Sequence, residues 1–386
     1  MTPGSASARK IRVLINGLHA RSGGGVTYLH NILPMLAEYP DLELHLFIHT
    51  DQFDIIGDVD ERIRVHLLTL KPGIAYLLAW EQICLPILAR LMRVDITFSP
   101  ANYGPLFAPG PIILLRNALT VAGRETRPLK RLYWVALSCM TLLSLTASRH
   151  AIAVSGFALK TLTFGFARLL RRRLSVVYHG VGMIYSPGQV VTVDSPFLLA
   201  VADIYIQKNL HTLLKAMPLV LRSYPTLRLL IAGRQIDIGY YNELVETIRR
   251  LNLESSIQFI DNVPPAELVE LYRSCILFVF PSTVETFGNP LVEAMACGAP
   301  IACSTTAAMP EIVGDSAEFF DPFDSRSLAQ TIVRLLQDPA RREDLKRRGI
   351  ERARGFSWKE SARQVAEIFR QCANRPAADG HLDSAR

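Results

Sequence analysis

The sequence of 386 residues is 49% hydrophobic and 20% charged, and its net charge is +7. This composition excludes a disordered chain, and the length favours two domains because single hydrophobic cores stop growing well before this size. The six cysteines form no C-x-x-C pair, which disfavours a zinc site and favours buried free thiols in a reducing compartment. Neither a secretory signal nor a membrane-spanning segment is found, so we expect a cytoplasmic protein.

Short apolar runs bounded by turn residues alternate with longer segments of helical periodicity. In chain order the runs are RVLING, LELHLFIH, IRVHLLTL, VDITFSP, PIILLRN, AIAVS and LSVVYHG, followed by PFLLAVAD, RLLIAG, SIQFID, ILFVFPS, PIACS and AEFFDP. This alternation is typical of βαβ units, and strands that are apolar throughout fit parallel sheets covered on both faces. The sequence therefore predicts an α/β fold.

The alternation restarts once, after a stretch at 180–196 that is rich in Gly, Pro and Ser and lacks periodicity. Such a stretch is typical of a linker between domains. Near the end of the chain, Ser357 and Glu360 predict a capping box at the start of a last helix. The predicted division is a first domain at 1–182, a linker at 183–195, a second domain at 196–356, a helix at 357–373 that returns to the first domain, and a disordered tail at 374–386.

The positive charge is concentrated in one segment. Residues 124–173 hold ten Lys or Arg and a single acid, Glu125. Cationic ends beside apolar helix faces fit peripheral contact with an anionic membrane surface. The alternative is a set of helices that cover the first sheet and carry solvated basic ends. The chain has no nucleic-acid recognition motif, so nucleic acid is not an expected partner.

Two acids bracket a loop in VETFGNPLVEAMACGAP, residues 284–300. Asn289 is expected to cap the following helix and Pro290 to occupy its first position. A helix start at the carboxyl edge of a parallel sheet favours phosphate binding. Glu285 and Glu293 would then accept hydrogen bonds from sugar hydroxyls on either side of the phosphates, which predicts a nucleotide sugar. The alternative is two ordinary acids on a solvated helix.

The spacing Glu285-x7-Glu293 resembles the signature of glycosyltransferase family 4 (group 1), a retaining family of two Rossmann-like doubly wound domains that face each other across a cleft, the GT-B fold. Further stretches resemble the family in order, namely RSGGGVTYLHNIL, AIAVSGFALKTL, VVYHGV, VADIYIQKNLHTLLKAM and MPEIVGDSAEFFDPFDSRSLA. The resemblance implies an acceptor site in the first domain and a nucleotide-sugar site in the second. It implies transfer of a hexose, plausibly of mannose type, to a lipid-linked or polysaccharide acceptor in cell-surface glycan synthesis, at the inner face of the membrane.

The resemblance also implies roles for individual residues. Lys208 would neutralise the donor diphosphate, Glu285 would position the sugar, and Asn117 would hydrogen-bond it; these three are the catalytic candidates. The donor-binding candidates are Gly24, Gly25, Lys208, Phe287, Gly288, Asn289, Pro290, Leu291 and Glu293. No cofactor and no metal ion are expected, because cations and a helix end would hold the diphosphate.

Two positions depart from the family's pattern. Asp203 stands where the family usually has a phosphate-binding Arg, and Arg116-Asn117 stands where many relatives have His-Asp. Arg116 could supply the missing charge or hold an anionic acceptor, but it cannot act as a base near neutral pH. A nucleotide-sugar-binding protein with weakened catalysis is therefore the alternative function. A dinucleotide oxidoreductase is disfavoured because no G-x-G-x-x-G follows a strand. A lone histidine at a strand end, His179, is interpreted as structural.

Overall fold

The computed structural model describes residues 9–21, 23–57, 59–71, 73–117, 119, 128–189, 195–261 and 263–374. These residues form two α/β domains with parallel sheets, which confirms the predicted fold class. Three predicted features fall partly or wholly outside the described residues: residues 190–194 of the linker, the tail beyond Asn374, and residues 124–127 of the basic segment.

The first domain is built on one parallel sheet. Its strands are β1 (Ile11–Asn16), β2 (Leu42–His49), β3 (Arg64–Leu68), β4 (Ile96–Ser99), β5 (Pro111–Leu115), β6 (His150–Ala153) and β7 (Leu174–Val176). Its helices are α1 (Gly24–Ala37), α2 (Phe53–Ile56), α3 (Ile74–Ala79), α4 (Leu85–Leu91), α5 (Pro128–Ala147), α6 (Gly156–Leu162) and α7 (Ala167–Leu170). The strand order β3-β2-β1-β4-β5-β6-β7 reverses between β1 and β4, where open α/β sheets form a ligand-binding crevice.

The second domain repeats this plan. Its strands are β8 (Phe197–Val201), β9 (Arg228–Ala232), β10 (Ile257–Ile260), β11 (Leu277–Phe280), β12 (Ile301–Ser304) and β13 (Glu318–Phe320). Its helices are α8 (Leu210–Ser223), α9 (Ile238–Arg250), α10 (Pro265–Ser274), α11 (Asn289–Cys297), α12 (Met309–Val313), α13 (Ser325–Gln337) and α14 (Pro339–Ala353). The order β10-β9-β8-β11-β12-β13 reverses between β8 and β11, so the second crevice lies at the ends of those strands.

The sheets are buried because their strands are apolar throughout. Every residue of β4, β6, β11 and β12 is buried, as expected for strands that are covered on both faces. The carboxyl ends of these strands carry the loops, and those loops bear most of the predicted site residues. The fold therefore gathers polar side chains from distant parts of the sequence at one edge of each sheet.

The last helix, α15 (Trp358–Asn374), lies against the first domain. Arg370 binds Asp41, near the start of β2, through two hydrogen bonds of 2.7 and 2.9 Å. The ring of Phe369 meets Phe98 of β4 edge-on, with 5.4 Å between the ring centroids. The chain thus crosses from the second domain back to the first, and this helix couples the two bodies.

Two local expectations need correction. The hydroxyl of Ser357 accepts the Glu360 N–H at 3.4 Å, but the Glu360 carboxylate binds Arg363 instead of the cap, so only one half of the capping box forms. The thiols are all free, but Cys84 and Cys139 are exposed. These two lie on the outward sides of helical segments, where an apolar run in the sequence does not require burial.

Candidate active site

Lys208 and Glu285 meet at the crevice of the second domain. Lys208 ends a 3-10 turn (Ile206–Lys208) after β8, and Glu285 follows β11. Lys208 Nζ lies 2.6 Å from Glu285 Oε1, and the two side chains are 17% and 15% exposed to solvent. Because β8 and β11 are neighbours in the sheet, residues 77 positions apart in the chain come together. The result is a partly exposed ion pair whose members can exchange partners when a ligand enters.

The loop at the start of α1 faces this region from the first domain. A Cβ built on Gly25 would lie 2.5 Å from Arg116 Nη2, so glycine there permits the close approach of the guanidinium. A Cβ on Gly24 would lie 3.9 Å from both Arg116 Nη1 and Asn289 Nδ2, which leaves space between these groups. Gly23–Gly25, named the glycine loop below, therefore lies beside a cation of its own domain and an amide of the other.

Arg116 is held rigidly at the end of β5. Its Nε donates to the carbonyl of Pro100 at 2.7 Å, and its backbone N–H donates to Asn102 Oδ1 at 2.8 Å. Burial lowers the pKa of Arg116 to about 10, with Tyr28 acting in the opposite direction, so the group is still charged at neutral pH. Asn102 also binds the N–H and carbonyl of Asn117, whose side chain is exposed. The turn thus presents a fixed guanidinium and an accessible amide.

Asp203 is paired with an arginine of its own domain. Arg234, two residues after β9, binds it through contacts of 2.8 Å from Nη2 and 3.1 Å from Nε. Hydrogen bonding to Asp203 raises the pKa of Arg234 further above its ordinary value. A Cβ on Gly23 would lie 3.6 Å from Asp203 Oδ2, so the pair borders the glycine loop. Sequence reasoning missed Arg234, although a basic residue directly after Gly233 at a strand end was a usable signal.

Helix α11, which follows the loop between Glu285 and Glu293, does not begin as predicted. Gly288 is the N-cap, with φ of 94°, and Asn289 and Pro290 are the first two helical residues, so the prediction that Asn289 caps the helix is wrong. Glycine enters the left-handed region without steric cost and ends the loop by itself. The Asn289 side chain is thereby released, and its Oδ1 accepts a hydrogen bond from His179 Nδ1 at 3.0 Å. Its Nδ2 faces the glycine loop.

His179 is buried as the structural interpretation expects, but it supports the site. Its ring lies 4.9 Å from that of Phe287 and stacks on Trp358 at 5.3 Å between ring centroids. Burial lowers its pKa to about 4, against a smaller opposing effect of the Asn289 hydrogen bond. The imidazole is therefore neutral at physiological pH and orients Asn289. Phe287 and Leu291 are 3% and 0% exposed, so both shape the loop from beneath.

Glu293 occupies a different environment from Glu285. The hydroxyl of Tyr272 donates to Glu293 Oε2 at 3.1 Å. Burial raises the pKa of Glu293 to about 7, and the Tyr272 hydrogen bond opposes this. The carboxyl of Glu293 also raises the pKa of Tyr185, although burial of that phenol contributes more. The two acids of the motif thus differ: one is paired with a lysine, and the other is poised between its protonated and ionised forms near neutral pH.

The two domains touch beside the site. The carboxylate of Glu311 accepts the backbone N–H groups of Gly156 and Phe157, at 2.7 and 2.9 Å, and so holds the start of α6. The hydroxyl of Thr286, next to Glu285, donates to the carbonyl of Arg116. These contacts fix the loop after β11 against the end of β5 and set the width of the cleft.

A cavity of about 500 Å³ adjoins the loops that carry Lys208 and Glu285, which is within the usual range of about 300–1,000 Å³ for small-molecule sites. It opens toward α8 and α13, and its lining includes Ile206, Gln207, Lys215, Thr283, Val284 and Phe323. Arg116 and Asn289 do not line it, so it is a recess separate from the cleft. Within the described ranges, no cluster of three or more His, Cys, Asp or Glu side chains is arranged to hold a metal ion.

Comparison with known proteins finds similarity to glycosyltransferases, chiefly in the second domain. The model of "Glycosyl transferases group 1" matches residues 187–352. O-antigen chain mannosyltransferase B of Escherichia coli is 33% identical over 178 residues, which is 45% of this chain and 45% of that protein. Serotype-specific mannosyltransferase WbdA of Escherichia coli is 27% identical over 196 residues, 50% of this chain and 24% of that protein. The matched region therefore spans about half or less of the length of these relatives.

Solved structures share the architecture over nearly the whole chain. Anabaena Alr3699/HepE in complex with UDP-glucose has a TM-score of 0.73 at 17% identity and covers 93% of this chain and 99% of that chain. WaaG, a glycosyltransferase involved in lipopolysaccharide biosynthesis, has a TM-score of 0.73 at 13% identity and covers 92% of this chain and 99% of that chain. At these identities the likeness shows the fold alone, which is the two-domain GT-B fold.

Proposed function

We propose that this chain is a retaining glycosyltransferase that moves a hexose from a nucleotide-diphosphate sugar to a lipid-linked or polysaccharide acceptor. Its residues 187–352 match the model of glycosyl transferases group 1. The observation that carries the proposal is the Lys208–Glu285 pair of 2.6 Å at the crevice of the second domain. The lysine can stabilise the negative charge of the departing diphosphate, and the glutamate can face the positively charged sugar ring.

In the proposed reaction, the bond between the anomeric carbon and the diphosphate oxygen breaks, and the acceptor oxygen bonds to the same face of the sugar. The hydroxyl proton passes to the departing phosphate oxygen, so no side chain has to act as a base. Lys208 turns from Glu285 to the diphosphate and stabilises its growing charge. Glu285 then faces the sugar and supports the positive charge that develops on the ring. The observed ion pair is the resting arrangement.

Several groups are proposed to bind the remaining phosphate charge. Arg116 and Arg234 lie on the two sides of the glycine loop, and each guanidinium is fixed by hydrogen bonds. The Asn289 amide and the first backbone N–H groups of α11 add neutral donors. In this proposal Arg234 takes the place of the arginine that Asp203 replaces. Together with Lys208, these two guanidiniums supply three positive charges for the diphosphate, so no metal ion and no cofactor are proposed.

The donor is proposed to carry a mannose-type hexose, because two of the matched relatives are named mannosyltransferases. The nucleotide is to be found by a thermal-unfolding screen with GDP, UDP, ADP and dTDP sugars. A ligand at about 100 times its Kd stabilises the folded protein by about 2.7 kcal/mol. We expect one nucleotide class to raise Tm clearly, and a uniform lack of stabilisation would refute the proposed donor site.

Matched lysine variants test the role of the ion pair. Lys208→Ala should abolish nucleotide release with lipid-linked mannoside acceptors, whereas Lys215→Ala, in the recess on the other side of the loops, should keep it. A wild-type protein that binds the nucleotide sugar tightly but releases no nucleotide with these acceptors would favour the alternative function, a nucleotide-sugar-binding protein with weakened catalysis. The departure at Asp203 is the feature that keeps this alternative open.

Contact with an anionic membrane surface is part of the proposal. Within the described residues, no helix is both long and apolar enough to cross a bilayer. The end of the basic segment instead exposes apolar and cationic side chains together: Leu169 is 79% and Phe166 46% exposed, beside the exposed Arg168 and Arg171. Apolar side chains flanked by arginines suit the boundary between lipid headgroups and acyl chains. This surface would bring the first domain to a lipid-linked acceptor at the inner face of the membrane.

Vesicle flotation tests this contact. The protein should float with vesicles that contain phosphatidylglycerol and should not float with pure phosphatidylcholine. Arg171→Gln should weaken binding about fivefold, since each basic residue near an anionic surface contributes about 1 kcal/mol. Leu169→Ser should weaken it too, and Phe323→Ser, at another exposed apolar site on the second domain, should have no effect. Equal binding to neutral and anionic vesicles would contradict the proposed surface.

A further inference from the structure

The crevice of the first domain contains a polar cluster that the donor chemistry does not use. The strand order reverses between β1 and β4, and the segments that follow these two strands carry His19 and Tyr103. His19 Nδ1 lies 3.3 Å from the Tyr103 hydroxyl, and the rings meet edge-on with 4.7 Å between centroids. In the second domain the same topological position holds Lys208 and Glu285. The rule that places ligands at such reversals therefore applies to both domains.

A buried acid lies behind these two residues. The side chain of Glu81 has no solvent exposure, and its Oε1 accepts hydrogen bonds from Asn16 Nδ2 at 2.7 Å and His19 Nε2 at 2.9 Å. Its Oε2 is buried and has no hydrogen-bond partner among the described residues. A buried carboxylate oxygen without a partner is costly. Glu81 also lies in a π-helical turn, Trp80–Cys84. Such turns are rare in proteins overall, but those that occur are often found at functional sites.

We infer that His19 and Tyr103 form the subsite that binds a hydroxyl of the glycan acceptor, and that Glu81 positions His19 for this task. The inference rests on the proposed function, because it supplies that reaction's second substrate. Glu81 holds the Nε2 side of the His19 ring, and Nδ1 therefore points to the Tyr103 hydroxyl. A sugar hydroxyl can donate one hydrogen bond and accept another, so it can contact both of these groups.

This subsite is joined to the donor side of the cleft through one loop. Tyr103 follows Asn102, whose side chain holds the backbone of Arg116 and Asn117 at 2.8 and 2.9 Å. An acceptor bound at His19 would therefore lie beside the turn that carries the fixed guanidinium. The first domain would present the hydroxyl from the end of β1, and the second domain would present the activated sugar from the ends of β8 and β11.

The test separates acceptor binding from donor binding in the full-length protein. The probe acceptor is octyl α-D-mannopyranoside, and its binding is measured directly by saturation-transfer NMR and by calorimetry. His19→Ala and Tyr103→Phe should each weaken this binding about tenfold, the cost of one lost hydrogen bond. Nucleotide binding and the hydrolysis of the donor by water should stay within about twofold of wild type. His30→Ala, at an exposed histidine of the same domain, is the matched control.

Glu81→Gln tests positioning, because it keeps the size of the side chain but removes its charge. We expect a rise in the KM for the octyl mannoside with little change in donor hydrolysis, and partial recovery in Glu81→Asp. Equal loss of donor hydrolysis and transfer in these variants would overturn the inference, as would a wild-type protein that does not bind the mannoside. If the mannoside binds through His19 but no nucleotide sugar binds, the subsite stands and the proposed transferase function fails.

Discussion

The ionisation of Glu293 yields a sharp prediction about stability and pH. Its pKa is raised from 4.5 to about 7 by burial, so the folded protein holds this proton more tightly than the unfolded chain does. The contribution of Glu293 to the free energy of unfolding is therefore fully present below 4.5 and is lost as the pH rises through about 7. At about 1.4 kcal/mol for each pH unit between the two values, the loss amounts to about 3 kcal/mol.

The variant Glu293→Gln isolates this contribution. A glutamine cannot titrate, but its amide oxygen still accepts the Tyr272 hydroxyl. Urea unfolding of both proteins from about pH 4 to about pH 8 should show the stability of the variant rising relative to wild type by about 3 kcal/mol. The buried His179, whose pKa is lowered to about 4, affects stability in the opposite direction, but it is present in both proteins and cancels in the difference.

Two further measurements test whether the titration of Glu293 causes this pH dependence. Tyr272→Phe removes the hydrogen bond that lowers the pKa of Glu293, so the fall in stability should move to higher pH. Because sugar hydroxyls donate to an ionised carboxylate, nucleotide-sugar affinity should increase through about pH 7 in wild type and stay level in Glu293→Gln. A constant stability difference between wild type and Glu293→Gln across the pH range would refute the reasoning, since it would mean that the carboxyl has the same pKa in the folded and unfolded protein.

Two other predictions concern the cleft. Gly25→Ala should lower stability by about 1–3 kcal/mol by displacing the guanidinium of Arg116, whereas Gly24→Ala should leave stability unchanged, and denaturant unfolding distinguishes them. Glu311→Ala should speed hydrogen exchange at the first amides of α6, because they lose their interdomain acceptor, whereas Asp315→Ala, in an exposed pair on the same domain, should not. Unchanged exchange in Glu311→Ala would mean that the domains separate freely without it.

The secondary structure was predictable because the hydrophobic pattern determines it. Every apolar run identified in the sequence overlaps one strand. The features that the sequence did not predict depend on local backbone conformation, which leaves no trace in the hydrophobic pattern. The capping of α11 by Gly288 depends on a left-handed backbone conformation, and the π-helical turn at Trp80–Cys84 inserts one residue into an otherwise ordinary helical pattern. Neither feature changes the periodicity that the sequence displays.

The sequence predicts which loops carry the residues of the candidate site, but it does not predict which of these residues contact each other. The carboxyl ends of parallel strands meet at one edge, so residues after strands were sound candidates, but strand order decides which of them touch. Lys208 meets Glu285 because β8 lies beside β11, and Asp203 meets Arg234 because β8 also lies beside β9. The contact of Glu81 with His19 depends on the reversal between β1 and β4 in the same way. Pairing therefore required the topology of both sheets.

The proposal that Arg234 supplies the charge of the arginine expected at Asp203 can be tested by exchanging the two side chains. Arg234→Ala should weaken nucleotide-sugar affinity about tenfold or more, because charged hydrogen bonds contribute about 1.5–3 kcal/mol, and Asp203 would then be left unpaired beside the phosphates. The double variant Asp203→Arg with Arg234→Asp keeps the ion pair and returns the cation to the position that the family uses, so calorimetry should show recovered affinity. If Arg234→Ala binds the donor as tightly as wild type, the guanidinium serves only to hold Asp203, and Arg116 and Lys208 carry the phosphate charge alone.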